Sequence, residues 1–207
     1  MLELDHLLWA SPDLDRGTRL FEELTGVVPA RGGSHPGFGT RNSLVSLGRG
    51  SYFEIISPDP EQSLDDNRGG RIAAMPRPGL LTFALRAADL GTVRRAAEAS
   101  GLSVDNPIAM SRTRPDGVKL AWSVLYPRDP TLGEAVPFVI DWGNSPHPSG
   151  TTPSGCRLHS FAALQPDPEP LRRVYGALGV PVDVKRAPTP GFFAVLDTPR
   201  GEVVLGS

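Results

Sequence analysis

The chain has almost no cysteine. Cys156 is the single one in 207 residues, which excludes an intramolecular disulfide framework and any zinc site built on several thiolates. Set between Gly155 and Arg157, it reads as a buried structural thiol rather than a nucleophile, and it fits a reducing compartment. Clustered positive charge is lacking as well. Lys and Arg number 21 against 23 Asp and Glu, giving a net charge of −2, and phosphate-backbone recognition needs a basic surface. Nucleic acid is therefore set aside as a partner. No stretch approaches the roughly 20 apolar residues that a membrane helix needs. Glu3 and Asp5 stand where a secretory leader would carry basic residues. These absences predict a soluble, cytoplasmic chain with no membrane partner. A nucleotide fingerprint is missing too, because Gly37-Phe38-Gly39 runs on into Thr40-Arg41-Asn42 without the third glycine or the helix.

What the chain has is punctuation. Its 23 glycines and 22 prolines fall mainly between periodic segments, so they mark turns and ordered loops. Residues 2–10 and 51–57 are short, apolar and bounded by Gly, Pro or Ser, and read as strands. Between them Asp13 can start a helix, Leu14, Leu20, Phe21 and Leu24 recur at helical spacing, and Gly26 supplies the stop. A short strand over 27–30, a glycine-rich loop over 32–42 and a strand over 43–47 complete a βαβββ order. Residues 59–78 read as a polar connection.

The order then recurs. Strands are expected at 80–86, 102–110, 118–126 and 136–142, with a helix from Leu90 through Ser100 that Gly101 ends. A third run has strands at 158–164, 182–186, 192–196 and 203–205, with a helix from Pro168 to Leu178. The expected class is α+β, with repeated βαβββ modules (1–58, 79–143 and a shorter 156–207) forming curled mixed sheets around a cleft, helices outside. An odd module leaves a sheet edge in need of cover, which predicts a homodimer.

The opening Asp5-His6-Leu7, the helix that follows and the strand Tyr52-Phe53-Glu54-Ile55 resemble the vicinal oxygen chelate superfamily of glyoxalases, extradiol dioxygenases and antibiotic-resistance proteins. Residues 35–42, 110–117 and 137–143 are similar to the glyoxalase-like domain family within it. The resemblance implies paired modules around a divalent metal that binds adjacent oxygens of a small-molecule substrate. His6 and Glu54 stand where the first module's ligands would be, and imidazole with carboxylate suits Fe, Mn, Ni or Zn. The second module departs from the pattern, with Thr82 matching His6 and Val139 or Ile140 near the match to Glu54. In the third module either His159 or Ser160 aligns with His6, according to whether helix ends or helix starts are matched. His6, Glu54 and His159 are the resulting metal set.

Other residues carry expectations of their own. Glu54 and His35 are the candidate catalytic groups: an ionised carboxylate in so apolar a strand needs a partner, and His35 lies in a loop whose glycines let backbone approach a ligand. Thr40 and Asn42 would add neutral hydrogen bonds. Arg112 and Arg114 could grip an anionic group bidentately. Trp9, Trp122 and Trp142 would wall an apolar pocket, and Asp141 is either a site carboxylate or the anchor of a loop holding His147. Two functions follow: metal-dependent lyase, isomerase or dioxygenase chemistry on a small molecule, or metal-free binding of a small molecule in the same cleft.

Overall fold

The computed structural model describes residues 2–113 and 117–207. Strand β1 (Glu3–Ala10) leads into helix α1 (Leu14–Thr25). The Asp13 carboxylate caps α1 by accepting from the Arg16 N–H at 2.7 Å, and Gly26 closes it at φ 76°, a conformation that favours glycine. The face that Leu14 and Phe21 present is buried against the sheet, with the Phe21 and Phe53 rings 4.9 Å apart. Burying a side chain of that size contributes about 1.5–3 kcal/mol.

Strands β2 (Ala30–His35), β3 (Thr40–Gly48) and β4 (Ser51–Pro58) follow. The glycine-rich segment read as a loop is largely strand: β2 starts later than expected and takes in Gly32 and Gly33, leaving only residues 36–39 as the turn. The polar connection after β4 contains an unforeseen short helix, α2 (Arg68–Ala73), capped by the Asn67 side chain. Gly69 of α2 lies so close to the Gly39 carbonyl that a β-carbon there would overlap it.

The second module runs β5 (Gly79–Arg86), α3 (Leu90–Ala99), β6 (Ser103–Val104), β7 (Ile108–Thr113), β8 (Lys119–Leu125), β9 (Pro127–Arg128) and β10 (Phe138–Asp141). Eight strands form one curled sheet in the order β2-β3-β4-β1-β5-β10-β8-β7, while β6 and β9 pair separately. Each half places its first strand parallel to its last, β1 with β4 and β5 with β10, and the two first strands meet antiparallel at the centre. The halves are thus related by an approximate two-fold between β1 and β5, and the expected α+β class with curled sheets is what is observed.

The third run comprises β11 (Arg157–Gln165), α4 (Glu169–Leu178), β12 (Asp183–Arg186), β13 (Gly191–Thr198) and β14 (Gly201–Gly206). Its element order matches the others but its pairing does not. The sheet runs β12-β11-β13-β14, so β11 is parallel to the second strand of its unit rather than the last. One face of the unit is covered, while β12 and β14 remain the edges of its sheet. Phe83 on the back of β5 meets Phe161, Phe192 and Tyr175 with ring centroids 5.2–6.1 Å apart, so one face of this unit closes the core behind the large sheet. A second apolar cluster, including Leu8, Tyr52, Trp122, Phe138 and Trp142, lies on the concave face.

Candidate functional site

A register shift in β1 makes the site. Leu4 pairs with Leu85 and His6 with Ala84, leaving Asp5 as the extra residue of a bulge. In a regular strand Asp5 and His6 would point to opposite faces; a bulge re-aims a side chain, and here the Asp5 carboxylate reaches the His6 ring. His6 Nδ1–H donates to Asp5 Oδ1 at 2.6 Å, and Nε2 faces Glu54 Oε2 at 3.2 Å. His6 stacks on Tyr52, with centroids 4.4 Å apart. The second Asp5 oxygen accepts from Trp142 Nε1–H at 3.1 Å and from His147 Nε2–H at 2.9 Å.

The chain of bonds continues on the other side. Asn42 Nδ2–H donates to Glu54 Oε1 at 2.6 Å and lies 3.3 Å from His35 Nε2, while Arg112 Nη1–H donates to Asn42 Oδ1 at 3.3 Å. That bond from arginine sets the orientation of the amide. It also marks His35 Nε2 as an acceptor, so His35 carries its proton on Nδ1, 3.0 Å from Thr40 Oγ1. Gly32 passes over this junction, where a β-carbon would overlap both Asn42 Oδ1 and Arg112 Nη1. Asp5, His6, His35, Asn42, Glu54 and Arg112 are all buried. Two carboxylates are matched by two cations, His6 and Arg112, which is how so much charge is tolerated inside a largely apolar face.

The protonation states follow from that arrangement. For His6, burial alone would favour the neutral ring, but the bonds and charges of Asp5 and Glu54 outweigh it and raise its pKa to about 9. For Glu54, burial works upward and the bonds from His6 and Asn42 work downward, and the result is about 2. Asp5 is likewise buried, yet the two histidines hold it well below the usual carboxylate range. His35 goes the other way: burial lowers its pKa, Arg112 and His6 add to that, and Glu54 offsets only part. One imidazole is therefore charged at neutral pH and its neighbour is not.

The sequence-predicted residues divide cleanly. His6, His35, Thr40, Asn42, Glu54, Arg112, Trp122 and Trp142 line one chamber of about 60 Å³, together with Tyr52, Phe38, Arg68, Met110, Tyr126 and Phe138. Trp9 does not join them; it packs in the core behind the sheet near Phe53. Asp141 accepts from the Gly143 N–H at 2.9 Å and anchors a turn. The His147 side chain reaches Asp5 instead. Arg114 lies outside the described residues. His159 sits on the other sheet with its side chain 58% exposed, 3.8 Å from Asp197, far in the fold from the chamber. It is the extra residue of a bulge where β11 pairs with β13, so Ser160 rather than His159 is paired with Val195.

With His159 elsewhere, the expected metal set loses its third member. His6 Nδ1 is held by Asp5 and Nε2 faces Glu54, so His6 and Glu54 offer one imidazole and one carboxylate donor between them. Among the described residues no three His, Cys, Asp or Glu side chains are grouped to hold a metal ion. The side chains present do not fit a three-ligand centre. Under a two-fold that carries His6 to Thr82, whose own strand partner is Leu8, the Thr82 hydroxyl donates to the Glu134 carbonyl at 2.8 Å. The counterpart of Glu54 is Phe138, one residue before the expected Val139 or Ile140, because Leu8 pairs with Glu54 as Ala84 pairs with Phe138.

A family model described as the glyoxalase-like domain matches residues 4–179. The chain belongs to that family. It is thereby a vicinal oxygen chelate protein, as its opening and fourth strands suggested. Among solved structures, this glyoxalase-like protein is similar to a hypothetical protein from Staphylococcus aureus at 17% identity, with a TM-score of 0.70, over 100% of this chain and 85% of that one. It is similar also to methylmalonyl-CoA epimerase from Mycobacterium tuberculosis at 17% identity, with a TM-score of 0.51, over 68% of this chain and 87% of that one. At such identity the likeness is one of fold. No curated protein matches the chain.

Asp5, Tyr52, His147, Phe138 and Arg68 belong to the site and were not singled out from sequence. For Asp5 a signal existed, two adjacent polar residues in an otherwise apolar strand. For Arg68 and His147, both on connecting segments, there was none.

Proposed function

We propose that this glyoxalase-like protein moves a proton on a small carbonyl compound held in the concave chamber. The observation that carries the reading is a pair of unlike imidazoles in one aromatic-walled cavity: His6 between the carboxylates of Asp5 and Glu54, and His35 bonded to the neutral side chains of Thr40 and Asn42. Neighbouring groups whose proton affinities such surroundings drive apart are what acid–base chemistry at neutral pH requires. His35 Nε2, once it releases the Asn42 N–H 3.3 Å away, is the base that takes a proton from the carbon next to the carbonyl. The released N–H turns to the substrate oxygen. The C–H electrons pass to the carbonyl oxygen, and charged His6 and Asn42 stabilise the resulting enolate. Return of the proton to carbon completes an isomerisation or epimerisation. Glu54, held near pKa 2 by its own bonds, is a weak base; it positions His6 and Asn42 instead.

The second reading, ligand binding without chemistry, is favoured by the completeness of the network, in which each of these polar groups already has a protein partner. Phenylacetone separates the two, since it joins an aromatic ring to a ketone with acidic C–H bonds. The expected result is quenching of Trp122 and Trp142 fluorescence together with solvent-deuterium exchange into the methylene group, the exchange lost in His35→Ala while quenching persists. Quenching without exchange in the wild type would leave binding alone. Metal analysis of protein purified without chelators is expected to give far less than one equivalent; a full equivalent lost in both His6→Ala and Glu54→Ala would replace this reading with a metal-dependent one. A homodimer in a cytoplasmic setting is also proposed, on the exposed Val204 of β14 and the single buried thiol. A single-chain mass by light scattering at high micromolar concentration would end the dimer.

A further inference from the structure

The chamber is too small to be the whole binding site. At about 60 Å³ it has room for a head group of a few heavy atoms, whereas pockets that hold metabolites run to roughly 300–1,000 Å³. A groove of about 720 Å³ adjoins it. Four residues, Phe38, Arg68, Tyr126 and Phe138, line both spaces and so form the neck between them. Three of the four are aromatic, and the fourth is a guanidinium.

Arg68 differs from the other cations around the chamber. His6 and Arg112 are bonded into the buried network, while Arg68 has Glu134 Oε2 at 3.8 Å, outside hydrogen-bond length, on a side chain 44% exposed. Arg68 itself is only 15% exposed, and a partner as exposed as Glu134 at that separation contributes little. The guanidinium is also 5.9 Å from the centre of the Phe138 ring, which holds it across the neck. The carbonyl of Phe38 accepts from the Gly69 N–H at 3.0 Å, so the start of α2 is tied to the turn beside the neck.

We infer that the ligand is an elongated anion: its carbonyl head enters the chamber, an apolar or aromatic body fills the neck, and a carboxylate or phosphate beyond it is gripped by Arg68 in competition with Glu134. This rests on the reading of the chamber as the site that receives the carbonyl, and it assigns Arg68 as the residue that selects the substrate class. A guanidinium recognises either anion bidentately.

The test uses three matched probes: phenylacetone, 4-(2-oxopropyl)benzoate and the neutral 4-(2-oxopropyl)benzamide, titrated by tryptophan fluorescence. The benzoate is expected to bind at least tenfold tighter than either neutral compound. Arg68→Gln should bring that ratio to within twofold, Arg68→Lys should restore part of it, and Glu134→Gln should increase it. A wild-type protein with no preference for the benzoate, or a preference that survives Arg68→Gln, overturns the inference and leaves the chamber reading in place. Arg68-dependent binding of the benzoate without binding of phenylacetone would sustain the anion site and count against the chamber. Failure of all three probes to bind would overturn both.

Discussion

The two halves of the large sheet share a topology and divide the labour. The first supplies His6, His35, Asn42 and Glu54; the second supplies Trp122, Tyr126, Phe138 and Trp142, with Arg112 as its one charged member of the network. Where the first half has imidazole and carboxylate, the second has Thr82 and Phe138 at the equivalent places. The paired halves thus enclose the cavity, and the difference between them gathers most of its polar groups on one side. A polar cluster can be kept inside only where its members satisfy one another, and one half suffices for that, while the other is free to become the apolar wall that keeps water out.

Breaking the polar half should cost most. Glu54→Ala leaves His6 buried beside a single carboxylate and removes the shorter of the two bonds from the Asn42 amide, and removal of one partner of a buried pair typically costs about 3–5 kcal/mol. Differential scanning calorimetry should show a fall of roughly 2–4 °C per kcal/mol for a chain of this size. Thr82→Val, at the symmetry-related place of His6, should lose no more than about 1–2 kcal/mol, the hydrogen bond to the Glu134 carbonyl. Equal losses at the two positions would undo the comparison.

Titration gives a second contrast confined to the first half. His6 holds a proton in the fold up to about pH 9, against about 6.5 in the unfolded chain, so its contribution is complete below pH 6.5 and is lost as pH rises through 9. Glu54, with its pKa lowered to about 2, contributes above about pH 4.5 and loses that contribution as pH falls through 2. His35 opposes His6, because its lowered value removes stability as pH drops below 6.5. Urea denaturation should therefore give lower stability at pH 9.5 than at pH 6.5, and the difference should shrink in His6→Gln.

Smaller effects mark the edge of the network. His147→Ala removes one donor to Asp5 from a side chain 23% exposed and should cost about 1 kcal/mol, since Trp142 and His6 still bond that carboxylate. His159→Ala should change stability by no more than about 0.5 kcal/mol, with binding of phenylacetone as in the wild type. Loss of binding there would return the third unit to the site.

Much of the fold was legible because its signals are local. Asp13 before α1, Gly26 after it, Asp89 before α3 and Gly179 after α4 are caps whose chemistry acts within one helical turn. His6, His35, Thr40, Asn42 and Glu54 were readable as polar residues in apolar or glycine-rich strands. Trp9 was misplaced because alternation allows either face of a strand, and His159 because a one-residue bulge decides which side chain is in register. The cover over the third unit was also missed, since Phe83, Phe161 and Phe192 are far apart in the chain.

By itself, then, the sequence determined the longer strands and helices, that three runs of similar element order follow one another, and which polar residues would be hard to bury alone. These depend on periodicity and on contacts a few residues long. Tertiary structure decided the rest. It set which strand each unit's first strand pairs with, turned Asp5 toward His6 through a bulge, and brought Arg68 to the chamber wall and His147 to Asp5 from connecting segments. The reason is physical: a side chain's partner and its protonation depend on what is folded against it, and those neighbours come from distant parts of the chain.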